Sequence, residues 1–182
     1  MKATGIVRRI DDLGRIVVPK EIRRTLRIRE GDPLEIFTNR EGEIMLKKYS
    51  PIGELGEFAA CYAQALAQTV EALVCISDRD YIIAAAGTGR KEVEGEHLSS
   101  EVEALIEQRG TYLTKKADEE LPIVEKDCIT DRKGAVVSSI ICNGDCQGSV
   151  IMVEKSGEPE KLEVLKTLAI AASNFLGKNM EQ

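Results

Sequence analysis

The sequence predicts an α+β protein with two domains, and three observations predict this division. Residues 1–50 carry 12 Lys and Arg against 8 Asp and Glu, whereas residues 51–182 carry 13 against 23. Pro51 and Gly53 interrupt the chain where the sign of the charge changes. The spacing of apolar residues changes at the same place, from short strand-like runs to amphipathic helices around strands. We therefore predict a small, basic β-rich domain over 1–50 and an acidic α/β sandwich over 51–182.

The first domain begins with two short strands. Residues 3–10 and 15–18 are rich in β-branched side chains, which favours strands, and the turn between them contains Gly14. Pro19 stops the second strand and suits the first turn of a helix, so we predict a short helix over 20–26.

A second pair of strands completes this domain. Residues 34–37 and 43–48 flank a polar turn over 39–42, which is typical of a hairpin. About 50 residues bury too little apolar surface to be comfortably stable alone, and no disulfide or metal pattern compensates. Four short strands also leave unpaired edges. We therefore expect two copies to intertwine into a closed barrel, which makes the N-terminal domain a homodimer.

The second domain is predicted to be an antiparallel sheet with a helix before it and a helix after it. Apolar spacing and turn residues predict these elements in order: a helix over 52–72, strands over 74–77 and 81–85, a helix over 98–109, strands over 112–114, 135–142 and 148–153, and a helix over 159–179. Segments 87–97 and 115–133 are polar and are predicted to be loops.

The last predicted helix carries one apolar stripe. It includes Leu162, Leu165, Leu168 and Phe175, and we predict these four residues as an oligomerisation surface that joins two N-terminal dimers into a homotetramer. The alternative, that the stripe only covers its own sheet, stays open, because helices of this kind often do both.

Several classes of function are disfavoured by composition. The only histidine is His97, which removes most acid–base and triad mechanisms, and there is no phosphate-binding glycine motif, so we predict no enzymatic activity. Cys142 and Cys146 lack two further ligands for a metal, and we predict neither a metal nor a cofactor. Five cysteines, no export signal and no membrane-spanning run predict a reduced, cytoplasmic protein without membrane contact.

Basic residues concentrated at the N-terminus predict a polyanionic partner. Nine Lys and Arg face only three Asp and Glu in the first 29 residues, and arginine side chains match phosphates and guanine edges. We predict a nucleic acid as the partner, bound by Lys2, Arg8, Arg9, Arg15, Arg23, Arg24 and Lys47. The alternative is a solvated surface whose charges are neutralised by Asp11, Asp12 and Glu21.

The motif from Thr4 to Leu26 resembles the AbrB-type swapped-hairpin DNA-binding domain, and the similarity continues to Tyr49. This resemblance implies a swapped-hairpin β-barrel formed by an intertwined dimer. It also implies DNA-contacting arginines, which correspond to Arg8, Arg15, Arg23 and Arg24, with a further basic residue at Arg9.

Residues 51–182 resemble a GAF-like domain, in the arrangement found in a family of late-sporulation transcription regulators. The resemblance implies a nucleoid-associated tetramer in the forespore that activates some genes and represses others. No cyclic-nucleotide signature is present, so an unidentified small ligand between the sheet and segment 87–97 and an empty pocket both stay open. A second function class, an antitoxin with a partner-binding C-terminal region, is less consistent with a folded second domain.

Overall fold

The structure, a computed structural model, describes residues 6–114, 121–126 and 133–181. The chain forms two compact units, Met1–Tyr49 and Ser50–Gln182, and each is described by itself.

The first unit contains one helix and one hairpin. Helix α1 spans Lys20–Thr25, and strands β1, Leu34–Thr38, and β2, Ile44–Lys48, pair antiparallel. The Asn39 side-chain oxygen accepts hydrogen bonds from the backbone N–H groups of Glu41 and Glu43 and closes the turn. The predicted helix over 20–26 and the predicted hairpin are confirmed.

The two predicted strands at the N-terminus do not form in the single chain. Residues 6–10 and 15–18 belong to no strand, and residues 3–5 lie outside the described residues. The turn between them is present, because the Asp11 N–H donates to the Arg15 carbonyl at 3.1 Å. A strand needs a neighbouring strand to accept and donate its backbone hydrogen bonds, and the described residues of one copy offer none at these positions.

The first unit has almost no core of its own. In the part of this unit that the structure describes, Pro19 alone is buried. The exposed apolar side chains include Val7 at 88% and Val17 at 73% exposure, together with Ile6, Ile10, Leu13, Ile16, Leu26, Ile36, Phe37, Ile44, Met45 and Leu46. Exposed apolar surface on this scale marks a protein interface, which agrees with the expected intertwined dimer.

The second unit begins with two helices rather than one. Helix α2 spans Pro51–Glu54 and helix α3 spans Gly56–Val70, so the helix predicted over 52–72 is interrupted at Leu55. The Ser50 hydroxyl caps α2 by accepting a hydrogen bond from the Gly53 N–H at 3.2 Å.

A five-stranded antiparallel sheet forms the middle of the second unit, in the order β4-β3-β7-β6-β5. Its strands are β3, Leu73–Ser77; β4, Ile82–Ala86; β5, Thr111–Leu113; β6, Gly134–Cys142; and β7, Asp145–Glu154. Asn143 and Gly144 both have positive φ, as a tight two-residue hairpin turn requires. The strands predicted for the second domain are confirmed.

Helices cover both faces of this sheet. Helices α2, α3 and α6, Pro159–Asn179, pack on one face, where Ile52, Ala59 and Leu165 meet Val74 and Met152. Helices α4, Arg90–Val93, and α5, Ser100–Glu107, pack on the other, where Val93, Val102 and Ile106 meet Cys75 and Val137. The predicted helices over 98–109 and 159–179 are confirmed. The predicted loop over 87–97 contains α4, and the predicted loop over 115–133 lies mostly outside the described residues.

Candidate nucleic-acid interface

The predicted DNA-binding residues lie on the surface of the first unit. Arg8 and Arg9 are exposed in the segment before the first turn, and Arg15 follows that turn. Arg23 and Arg24 occupy the last turn of α1, and both are exposed. Lys47 is exposed on β2, opposite Glu35. Lys2 lies outside the described residues.

Most of these cations form no ion pair among the residues that the structure describes. Throughout residues 6–114, 121–126 and 133–181, no carboxylate forms an ion pair with Arg8, Arg9, Arg23, Arg24 or Lys47. Of the three acidic residues considered as neutralising groups, Asp11 pairs with an arginine, whereas Asp12 and Glu21 form no ion pair within those ranges. Exposed positive charges without counter-ions repel one another and favour an anionic ligand.

Asp11 organises the turn that carries Arg15. Its Oδ1 atom accepts hydrogen bonds from the backbone N–H groups of Leu13 at 3.0 Å and Arg15 at 2.8 Å. Its Oδ2 atom accepts from the Arg15 Nε at 2.8 Å. The backbone hydrogen bond from Arg15, and then its guanidinium, hold the pKa of Asp11 below the ordinary value, so the carboxylate is ionised at neutral pH.

A second ion pair holds the end of α1 against the hairpin. Lys48 Nζ lies 3.0 Å from Asp32 Oδ2 and also donates to the Arg27 carbonyl at 3.1 Å. The Asp32 carboxylate accepts the Arg29 N–H as well, and its side chain is 1% exposed. Local sequence patterns do not reveal this pair, because it joins residues that are distant along the chain.

The four predicted oligomerisation residues divide between two faces of α6. Leu162 and Leu165 are buried in the core of their own unit, whereas Leu168 is half-buried and Phe175 is 46% exposed. The single stripe in the sequence is therefore two stripes in the structure. Burial in their own unit leaves Leu162 and Leu165 little surface for a second copy to contact, and the oligomerisation surface stays a prediction.

The outer face of the helical layer, which we call the α3–α6 face, consists of Val164, Leu168, Ala171 and Phe175 from α6 with Phe58 and Tyr62 from α3. The ring of Phe175 lies 6.0 Å from that of Phe58 and 5.4 Å from that of Tyr62, measured between centroids. Residues 164, 168, 171 and 175 follow a four-three-four spacing, the signal by which sequence analysis could have found this stripe.

Two clefts in the second unit include residues of segment 87–97, and both lie on the side of the sheet that carries α3. The space between the sheet and residues 93–106 is filled by apolar side chains, including Ile82, Val93 and Leu98. A cleft of about 640 Å³ lies between the end of α3 and the start of α6, beside Thr69, Thr88 and Lys161. A smaller cleft of about 370 Å³ lies beside α3, Gly87 and Arg90.

The described residues contain neither a cluster of metal ligands nor a membrane-spanning helix. Among the described residues, no three His, Cys, Asp or Glu side chains cluster as metal ligands. Cys142 and Cys146 are free, and burial raises the pKa of both thiols. Cys128 lies outside the described residues. No helix in the described ranges is long and apolar enough to cross a membrane.

The whole chain is similar to a known transcription regulator. It is 48% identical to "Stage V sporulation protein T" of Bacillus subtilis over 182 residues, which is the full length of both proteins. Residues 54–181 match the family model "Stage V sporulation protein T C-terminal, transcription factor".

The two units also have separate relatives. Residues 7–54 match the family model "Antidote-toxin recognition MazE, bacterial antitoxin". Over 51 residues the chain is 61% identical to the "Transition state regulatory protein AbrB" of Bacillus subtilis, which covers 28% of this chain and 52% of AbrB. The fold of the second unit is that of the GAF domain of A. aeolicus nlh2, with a TM-score of 0.55 at 12% identity, covering 72% of this chain and 85% of that structure.

These matches place an AbrB-type DNA-recognition domain before a GAF-like domain, in the order that the sequence predicts. The identity over the full length favours a transcription regulator over an antitoxin. An AbrB-type domain implies both DNA binding and dimerisation. The chain therefore belongs to the stage V sporulation protein T family of DNA-binding transcription regulators.

Proposed function

We propose that this chain regulates transcription by binding double-stranded DNA selectively through residues 1–50, paired as an intertwined homodimer. The DNA-contacting residues are Arg8, Arg9, Arg15, Arg23, Arg24 and Lys47, with Lys2. One observation carries the proposal: Arg8, Arg9, Arg23, Arg24 and Lys47 are exposed and have no ion pair among the described residues, on a unit that lacks a core of its own. The phosphate backbone of DNA supplies the missing counter-charge.

Binding to DNA should depend steeply on salt. If each protomer places four arginines on phosphates, a dimer neutralises about eight of them, and the slope of log K against log salt is expected near −7. The measurement is fluorescence anisotropy of the full-length protein, titrated at several salt concentrations against a duplex enriched by it from a random pool and against a scrambled duplex. A slope near zero, or equal affinity for both duplexes at every salt concentration, would contradict selective binding through these residues.

We propose further that residues 51–182 join two such dimers into a homotetramer through the α3–α6 face. The support is a cluster of three aromatic rings at this surface, beside the exposed stripe of α6. Apolar residues in this arrangement lose contact with water when a second copy covers them. Two dimers joined in this way would bind paired DNA sites with higher avidity than either dimer alone.

A charge on this face should split the tetramer. Phe175→Glu is expected to reduce the mass measured by light scattering to half that of the wild-type assembly, because a carboxylate in an apolar interface loses its hydration. Asn174→Glu is the matched control, since residue 174 is exposed on the same helix but outside the stripe. Equal masses for Phe175→Glu and the wild-type protein would refute this interface. A loss of mass in both variants would show a general effect of charge on α6.

The name of the full-length relative and the resemblance to late-sporulation regulators indicate where in the cell this activity takes place. We propose that the protein acts in the cytoplasm on the nucleoid, in the forespore, where it activates some genes and represses others. An antitoxin role is less well supported, because the match to the antitoxin model stops at residue 54 and the rest of the chain folds as a GAF domain. An unidentified small ligand of the GAF-like domain is compatible with the proposal, and none of its steps requires catalysis or a cofactor.

A further inference from the structure

One carboxylate lies among the predicted DNA-contacting cations, where a negative charge should weaken binding to phosphate. Asp11 is four residues before Arg15, and its side chain is partly exposed, at 39%. An acidic group beside DNA repels the phosphates, so its charge alone would lower affinity. Its contacts with Arg15 give a reason for its presence at this position.

The contacts of Asp11 fix both the backbone and the guanidinium of Arg15. Oδ1 accepts the Arg15 backbone N–H, which sets the end of the turn, and Oδ2 accepts Nε, which sets the direction of the side chain. The Arg15 side chain is nevertheless 69% exposed. Because Asp11 occupies the Nε position, the two terminal nitrogens of the guanidinium stay available for a bidentate contact with a phosphate or with the guanine O6 and N7 atoms.

We propose that Asp11 is a positioning residue for DNA recognition, which holds Arg15 in its DNA-binding orientation and thereby contributes to selectivity. The inference rests on the proposed function, in which Arg15 contacts DNA. A free arginine side chain loses rotamer freedom when it binds, and a side chain already fixed by a carboxylate loses less. This gain in affinity applies only to a duplex that offers Arg15 a matching contact. The carboxylate, in contrast, repels every DNA duplex.

Asp11→Asn separates positioning from charge. The asparagine Oδ1 can still accept the backbone N–H groups of Leu13 and Arg15, so the turn is kept, but its amide nitrogen cannot accept a hydrogen bond from Arg15 Nε. A role only in charge neutralisation predicts tighter binding to every duplex after this substitution. Positioning predicts weaker binding to the enriched duplex, by roughly fivefold for each protomer on DNA, with unchanged or tighter binding to the scrambled duplex.

Asp12→Asn is the matched control. Residue 12 is adjacent, exposed and equally charged, and within the described residues its carboxylate makes no hydrogen bond or ion pair with Arg15. We expect this variant to bind both duplexes as tightly as the wild-type protein or slightly more tightly. Light scattering and thermal unfolding of the full chain would verify that both variants keep the assembly and the fold.

The decisive measurement is a double-mutant cycle, with affinities for the enriched and the scrambled duplex measured for Asp11→Asn, Arg15→Ala and the double variant. Positioning through Arg15 predicts that Asp11→Asn no longer weakens selective binding when Arg15 is alanine. Tighter binding of Asp11→Asn to both duplexes, or the same loss with and without Arg15, overturns the inference while the proposed function stands. Failure of the wild-type protein to bind any duplex would instead refute the proposed function.

Discussion

Arg15→Ala is expected to weaken selective DNA binding strongly while the protein stays folded and assembled. The Arg15 side chain is 69% exposed and pairs with Asp11, which is itself exposed, so its removal leaves no buried group without a partner. One arginine contact is worth about 1–3 kcal/mol, and two protomers lose one each, which predicts a loss of at least about 30-fold in affinity for the enriched duplex. The salt slope should fall in magnitude by about two, from about −7 to about −5.

Two comparisons make this prediction specific. Arg8→Ala is expected to have a similarly large effect, whereas Arg40→Ala removes an equal charge from the turn between β1 and β2, outside the predicted contact set. We expect Arg40→Ala to change affinity little. Equal losses in all three variants would mean that net charge, rather than these arginines, determines binding. A lower mass or an early unfolding transition of Arg15→Ala would assign this arginine a structural role.

Gly177→Ala is expected to destabilise the second unit, although alanine is the better helix former. Gly177 is buried in α6, and a Cβ atom added there would lie 2.1 Å from the carbonyl oxygen of Ile141 in β6. Helix propensity alone would predict a gain of about 1 kcal/mol. The Ile141 carbonyl belongs to the backbone and cannot rotate away as a flexible side chain can. We therefore expect α6 to shift away from the sheet, with a net loss of about 3 kcal/mol in the free energy of unfolding.

Denaturant unfolding of the full chain, followed by circular dichroism, measures this effect. Asn174→Ala is the control, because residue 174 is exposed on the same helix and its substitution changes helix propensity without a close backbone contact. We expect Asn174→Ala to unfold at the same denaturant concentration as the wild-type protein or slightly above it. A Gly177→Ala variant as stable as Asn174→Ala would show that α6 does not approach Ile141 as closely as the structure has it.

Local sequence signals predicted most elements of both units. Pro19 and the polar turn over 39–42 indicated α1 and the β1–β2 hairpin, and Asn143 with Gly144 indicated the β6–β7 hairpin. These features depend on residues that are neighbours along the chain, because turn geometry and helix starts are set by backbone preferences within a few residues.

The predictions that differ from the single chain concern residues whose structure depends on distant partners. The strands over 3–10 and 15–18 need hydrogen bonds that one copy of the chain does not supply within its described residues. The helix over 52–72 is interrupted at Leu55, and α3 buries Ala59, Ala63 and Ala67 rather than its aromatic residues. Small side chains on that face let α3 approach the sheet closely, which leaves Phe58 and Tyr62 toward the surface.

The sequence by itself determined the division of charge between the two units, the AbrB-type motif with its arginines, and the order of helices and strands. These properties follow from composition and from spacing along the chain. Only the tertiary structure decided which apolar residues of α6 are buried and that Lys48 reaches Asp32. Burial and pairing depend on which surfaces meet after folding, and a helical stripe in the sequence does not specify the element that will cover it.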